Sequence, residues 1–199
     1  MLLDLGPSAP DPARSAAAEV APEGEPASGP ETASETAAQQ RLARARRAMF
    51  AAGCFWGVEA VFSEIDGVLS TRVGFTGGHT PSPSYRQVCG HDTGHAEAVE
   101  IWFDPELVSY EQLLETFWRI HNPTTPSRQG WDLGDQYRSA IFVHDAGQEA
   151  LAKTSRDAEQ ESLTKPIVTQ ITPAGPFYEA EEHHQRYFER HNRQTLRVP

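Results

Sequence analysis

Apolar positions along this chain become regularly spaced at about residue 48, and their spacing predicts the elements that follow. The run Ala48-Met49-Phe50-Ala51-Ala52 has the length of a strand, placed around Met49–Ala52. Behind it, Val58, Val61, Phe62 and Ile65 recur at helical spacing, which predicts a helix from Cys54 to about Ile65. Val68–Phe75 reads as a second strand, closed by the turn Thr76-Gly77-Gly78. His95–Phe103 is a third strand and stops at Asp104-Pro105. Ser109-Tyr110-Glu111-Gln112 has the form of a capping box, and the helix it opens puts Leu113, Leu114, Phe117, Trp118 and His121 on one face. Tyr137–His144 is a fourth strand. A charged helix (about Gly147–Leu163), a fifth strand (Ile167–Thr172) and a last amphipathic helix (Tyr178–Asn192) complete the pattern.

Strand-helix-strand-strand-helix-strand is the split-βαβ order. The expected fold is α+β, a two-layer sandwich with a mixed sheet. It has a ferredoxin-like βαββαβ core plus a C-terminal strand and helices. Two connections, Thr76 to Gly94 and Asn122 to Gln136, exceed the ~12–15 residues beyond which a structureless loop is usually functional.

Composition changes the picture at the N-terminus. Residues 1 to about 40 hold seven acids against one base, Arg14, and almost no large apolar side chain after Leu5. Such a segment cannot bury enough surface to offset its ordering entropy, so 1–46 is expected to be a disordered Ala/Pro/Glu-rich tail and 47–199 the folded domain. Arg41, Arg44, Arg46 and Arg47 mark the boundary as a solvated lead-in. The net charge of −11 over 199 residues argues against nucleic-acid and anionic-membrane partners. No apolar run approaches the ~20 residues that span a bilayer, and the first residues lack the pattern of a secretory signal. Two cysteines, Cys54 and Cys89, make no disulfide framework. A cytoplasmic monomer with reduced thiols is expected.

The candidate chemistry centres on Gly53-Cys54-Phe55-Trp56-Gly57. A cysteine at a strand-to-helix turn meets unpaired backbone N–H groups and the positive end of the helix dipole, which favour a thiolate. The flanking glycines allow a tight turn or a close approach to the backbone. In the third strand Glu97 falls in register with Val99, Ile101 and Phe103. If that set faces the core, Glu97 is a desolvated carboxyl able to hold a proton near neutral pH; as the first residue of the run it is equally placed to reach solvent. Asp132 lies between Trp131 and Leu133, which suggests partial enclosure, though a turn aspartate bonding its own backbone fits too. Tyr85 and Tyr137 carry phenolic donors, or pack half-buried. Cys89, His91 and His95 have too few partners for a structural zinc site, and no metal or cofactor is expected. His184 sits on a polar stretch beside Glu181 and Glu182, as a solvated residue or a contact at the substrate's edge.

These motifs together resemble a known family. Gly53-Cys54-Phe55-Trp56-Gly57, Tyr85-x-x-Val88-Cys89, Gly94-His95-Ala96-Glu97, Arg128-Gln129-Gly130-x-Asp132-x-Gly134-x-Gln136-Tyr137-Arg138-Ser139 and Phe177-Tyr178-x-Ala180-Glu181-x-x-His184-Gln185 are similar to peptide methionine sulfoxide reductase A, from about Phe50 to about Phe188. The resemblance implies reduction of methionine S-sulfoxide, free or in proteins, to methionine. It implies that Cys54 attacks the sulfoxide sulfur, Glu97 protonates its oxygen, Tyr85 and Tyr137 hydrogen-bond that oxygen, and Asp132 holds the polar side of the pocket. Phe55 and Trp56 would form the slot for the S-methyl group. Cys54 would be left as a sulfenic acid for a thiol to reduce. Many such proteins carry recycling cysteines beyond the last helix, and none stands there in this sequence. Thioredoxin, glutaredoxin or a small thiol is then the expected reductant, with Cys89 as the alternative resolver. Two other readings compete: a cysteine hydrolase using His95 or His184 as base with Asp132 as orienter, and a non-enzymatic binding module.

Overall fold

Ala48–Ala52 lies in the middle of a six-stranded sheet, buried on both faces. The structure is a computed structural model and describes residues 30–191. Its elements run α1 (Pro30–Arg44), β1 (Arg46–Ala52), α2 (Phe55–Ser63), β2 (Val68–Thr76), α3 (Tyr85–Cys89), β3 (Ala96–Phe103) and α4 (Tyr110–Arg119). Then come β4 (Arg128–Gln129), β5 (Asp132–Leu133), a 3-10 turn (Asp135–Tyr137), β6 (Ser139–Val143), α5 (Ala146–Ser162), β7 (Gln170–Pro173), β8 (Tyr178–Glu179), a second 3-10 turn (Glu182–His184) and α6 (Tyr187–Arg190). The sheet order is β7-β6-β1-β3-β2-β8, with β7 parallel to β6 and the other pairs antiparallel. Its inner four strands, β6-β1-β3-β2, have the ferredoxin-like arrangement expected from the element order. The mixed α+β sandwich is therefore as the sequence pattern implies.

Alternation sorts the strands onto two faces. Ala48, Phe50, Val73, Val99, Ile101, Phe103 and Ile141 meet Phe55, Val58 and Phe62 of α2, and Leu113, Leu114 and Phe117 of α4. Phe50 stacks at 5.3 Å on both Phe62 and Phe117, so one ring of the central strand joins the two main helices. Met49, Ala51, Ala96, Ala98, Ala140 and Phe142 form the smaller core on the other face, covered by Ala174 and Phe177. Glu100 is buried on that face too, held by Arg72 at 2.6 Å and Arg47 at 3.3 Å. The capping box at Ser109 and Gln112 forms as predicted.

Four expectations fail. Part of the N-terminal tail is helical: α1 is built largely of Ala, Glu, Gln and Arg, good helix formers, while residues 1–29 lie outside the described residues. Arg44 at its end is not simply solvated, because it grips buried Asp104 through Nε and Nη2, each at 2.7 Å. The long connections are not structureless either. The first carries α3, opened by a second capping box at Ser84 and Gln87, and the second folds into the β4–β5 hairpin.

The last amphipathic helix is the fourth. Tyr178 and Glu179 instead pair with Phe75 and Gly74 on the open edge of β2. Gln185 then takes both main-chain groups of Val73, accepting from N and donating to O, and also donates to the Ala180 carbonyl. Arg186 turns left-handed at φ 51°, its N–H donating to buried Glu59. An unpaired strand edge demands backbone partners, and that demand overrides the helical periodicity.

Candidate active site

Cys54 is the N-cap residue of α2, where β1 ends and the helix begins. The chain reaches it through Gly53 at φ +99°. A Cβ added at Gly53 would lie 2.8 Å from Gln129 Cβ, so the glycine also lets the β4–β5 hairpin close against the backbone beside the thiol. Gln129 in turn bonds Asn122 twice, accepting from its N–H and donating to its carbonyl. The sequence gives Gln129 no role of its own; its signals are its place in a long loop and in the Arg128-Gln129-Gly130 motif.

Glu97 lies on the large-core face of β3 and is 1% exposed. Its Oε2 accepts the Phe55 N–H at 3.0 Å, while Oε1 is buried without a hydrogen-bond partner. Burial pushes the carboxyl up to about 7; the Phe55 amide pulls the other way, and Asp132 adds to the rise. The inward alternative for Glu97 is the one the fold takes.

The thiolate expected from the helix N-terminus is overturned. Burial first, then the nearby Glu97, pushes the Cys54 thiol up to about 11, with Asp132 adding to the rise. The amides of Trp56 and Gly57 act in the opposite direction and do not prevail. A helix end favours the anion, but desolvation and two carboxylates disfavour it more.

Tyr85 and Tyr137 complete the polar wall, both half-buried. Burial raises the Tyr85 hydroxyl pKa; a hydrogen bond to the Cys89 sulfur, four residues on along α3, raises it further. Burial, then Glu97, Asp132, Cys54 and Cys89, pushes Tyr137 up to about 12. Both phenols therefore keep their protons to donate. Cys89 is half-buried at this wall. Asp132 acts on the group electrostatically but is exposed, and the enclosure expected from its neighbours is absent: Trp131 is 95% and Leu133 66% exposed.

The aromatic side is built around His184. Its ring lies 4.6 Å from Tyr85 and 5.6 Å from both Phe55 and Trp56, and it is buried, not solvated. Burial, then His183, lowers its pKa, and neither ring nitrogen has a hydrogen-bond partner. Trp56 is half-buried and stacks on Tyr187 at 4.1 Å. Phe55, at 1% exposure, is mainly a core ring beneath Tyr85. His95 is unsuited to act as a base, since Nδ1 accepts from Gly78 N and Nε2 bonds the Thr80 carbonyl. His91 is turned to Asp135 at 3.0 Å.

Residues 46–198 match the family described as Peptide methionine sulfoxide reductase. The chain belongs to the peptide methionine sulfoxide reductase family. It is similar to the peptide methionine sulfoxide reductase MsrA of Methanothermobacter thermautotrophicus, with 55% identity over 154 residues, 76% of this chain and 91% of that one. Among solved structures it is similar to Saccharomyces cerevisiae Mxr1 in its reduced form, at 34% identity, with a TM-score of 0.73, covering 79% of this chain and 91% of that chain. It is also similar to Mxr1 in complex with Trx2, at 25% identity and a TM-score of 0.54, covering 71% and 85%. Like other peptide methionine sulfoxide reductases, it is an oxidoreductase that returns methionine sulfoxide to methionine in protein repair. Among the described residues no helix is long and apolar enough to cross a membrane.

Proposed function

We propose that Cys54 and Glu97 carry the reduction of methionine S-sulfoxide, free or within a polypeptide. The observation that carries this reading is the buried Glu97 carboxyl, poised near pH 7 beside the Cys54 thiol and anchored by the Phe55 N–H. A sulfoxide is neutral, with a polar oxygen and an apolar S-methyl group. Glu97 gives its proton to the oxygen as Cys54 attacks the sulfur, and the thiol's proton restores Glu97. The attack joins the Cys54 sulfur to the methionine sulfur. The hydroxyl then passes from the methionine sulfur to the Cys54 sulfur, the S–O and S–S bonds to methionine both break, and methionine leaves with Cys54 as a sulfenic acid. Since Cys54 rests as a thiol, its activation is tied to substrate protonation and it is spared from general oxidation between turnovers.

Tyr85 and Tyr137 donate to the sulfoxide oxygen, and Asp132 tunes the field at the pocket mouth. Trp56, with Phe55 beneath it and His184 alongside, supplies the apolar wall for the methyl group, and Gly53 lets the pocket close. A thiol outside the chain then condenses with the sulfenic acid, releasing water, and a second thiol returns Cys54 to its reduced form. The structure of yeast Mxr1 with Trx2 supports a thioredoxin-type partner for this step; glutaredoxin or a small thiol has the same chemistry. A monomer in a reducing compartment such as the cytoplasm fits two unpaired cysteines.

The test is Cys54→Ser with a methionine S-sulfoxide substrate and dithiothreitol. Turnover should vanish while the circular dichroism spectrum is unchanged. Wild-type turnover in the variant would remove Cys54 from the reaction.

A further inference from the structure

The β4–β5 hairpin closes against the thiol from one side. Gln129 packs on Gly53, and Asp132, its cross-strand partner, raises the pKa of Cys54, Glu97 and Tyr137. Between them the turn is Gly130-Trp131, with Gly130 at φ +56°, matching the glycine-first two-residue hairpin turn. Trp131 is therefore the chain neighbour of Asp132, whose charge is felt at Cys54, Glu97 and Tyr137, roughly 3.3 Å further along the chain. It is 95% exposed, and Leu133 two residues on is 66% exposed.

The platform under this indole is firmly built. Asn122 and Gln129 exchange two hydrogen bonds, Arg128 Nε donates to the Gly130 carbonyl at 2.9 Å, and Gly134 N donates to Ser127 O at 3.0 Å. The hairpin backbone thus holds a large aromatic out in water, where it contributes nothing to the core. Tryptophan has only two side-chain torsions to fix, so it loses little entropy on binding for the area it covers, as in interface anchors.

We propose that Trp131, with Leu133, is the rim subsite for polypeptide substrates, binding an apolar side chain next to the oxidised methionine. The inference rests on Cys54 being the reacting centre. A sulfoxide side chain that reaches Cys54 leaves its own backbone at the pocket mouth. Residues on either side of it advance roughly 3.3 Å each in an extended segment, so those one to three positions away pass over the hairpin tip. Free methionine sulfoxide has no such neighbours and cannot use the subsite. Methionines inside proteins usually lie among apolar residues, which matches the chemistry the rim offers.

Steady-state kinetics of wild type, Trp131→Ala and Trp131→Phe test this with three substrates: free methionine S-sulfoxide, a peptide with Leu or Phe flanking the sulfoxide, and the same peptide with Asp there. Trp131→Ala should raise KM for the apolar peptide roughly tenfold at unchanged kcat. Free sulfoxide kinetics should not move, Trp131→Phe should recover most of the loss, and the Asp-flanked peptide should be insensitive. Equal losses on all three substrates, or none, would overturn the subsite. So would an effect seen only in the KM for thioredoxin, or a dimer that the substitution dissociates. Cys54→Ser reports separately on the chemistry: turnover of the apolar peptide retained in that variant would fail the Cys54 reading, whereas loss of it together with equal Trp131→Ala effects on all substrates would fail the rim subsite alone.

Discussion

The backbone N–H of Phe55 donates to Glu97 Oε2 at 3.0 Å, tying the first residue of α2 to a carboxyl that is 42 positions away in the chain. The contact fixes the orientation of Glu97 beside Cys54 and leaves Oε1 as a buried oxygen without a partner. One oxygen is anchored by the fold and the other is free to hold a proton.

Glu97→Gln should lower kcat/KM by roughly 10²–10⁴ at neutral pH, since the amide can accept from Phe55 but has no acidic proton to give. In wild type the acid form is lost as pH rises through about 7, so kcat/KM should fall above that value. The variant's residual activity should be flat across the same range. A wild-type profile that rises through pH 8 would contradict the proton-donor role.

The same carboxyl affects stability, with a definite sign. Its folded pKa of about 7 is above its ordinary value, so the folded protein binds the proton more tightly. That contribution is full at low pH and is lost as pH rises through about 7. Glu97→Gln should therefore leave stability nearly unchanged at pH 4.5 and raise it by about 1–3 kcal/mol at pH 8. Urea titrations at the two pH values measure it.

His121 should show the opposite slope. Its Nδ1 bonds the Phe117 carbonyl and its Nε2 bonds Ser139 Oγ, each at 2.7 Å, and burial lowers its pKa to about 4. The unfolded chain then binds the proton more tightly, so the contribution is full above about 6.5 and is lost as pH falls toward 4. Relative to wild type, His121→Gln should lose about 1–2 kcal/mol of the difference in stability between pH 7 and pH 4.5. Thermal denaturation of both proteins at these pH values reads it directly.

Gly53→Ala forces a side chain onto a backbone at φ +99° and drives its Cβ to 2.8 Å from Gln129. We expect a stability loss of about 1–3 kcal/mol. Activity should fall further than stability explains, because the hairpin must move off the Cys54 turn. Full activity in a folded Gly53→Ala protein would show that this close approach is dispensable.

Cys89→Ser should sustain multiple turnovers with a dithiol, since recycling is assigned to an outside thiol. Mass spectrometry after one equivalent of substrate should find an oxygen added to Cys54 in wild type. A Cys54–Cys89 disulfide would instead make Cys89, half-buried beside Tyr85, the resolver.

The sequence by itself determined what depends on neighbours in the chain. Alternation placed Glu97 with Val99, Ile101 and Phe103, and the Ser109–Gln112 cap set the start of α4, because strand pleat and helix capping act over a few residues. The same signature at Ser84 and Gln87 would have revealed α3. Segment order was enough for the mixed sheet, since few connections between such elements are allowed.

Tertiary structure alone decided what depends on distant groups. The protonation of Cys54 turned on burial and on Glu97, which outweigh the local pull of a helix N-terminus. The C-terminal segment gave up its helical pattern because Gln185 and Tyr178 satisfy the edge of β2. Trp131, Asp132 and Leu133 are all exposed on the β4–β5 hairpin, and Asp132 acts on the site through its charge because the hairpin closes against Gly53. Desolvation, edge pairing and side-chain exposure are set by elements far apart in sequence, and no local pattern encodes them.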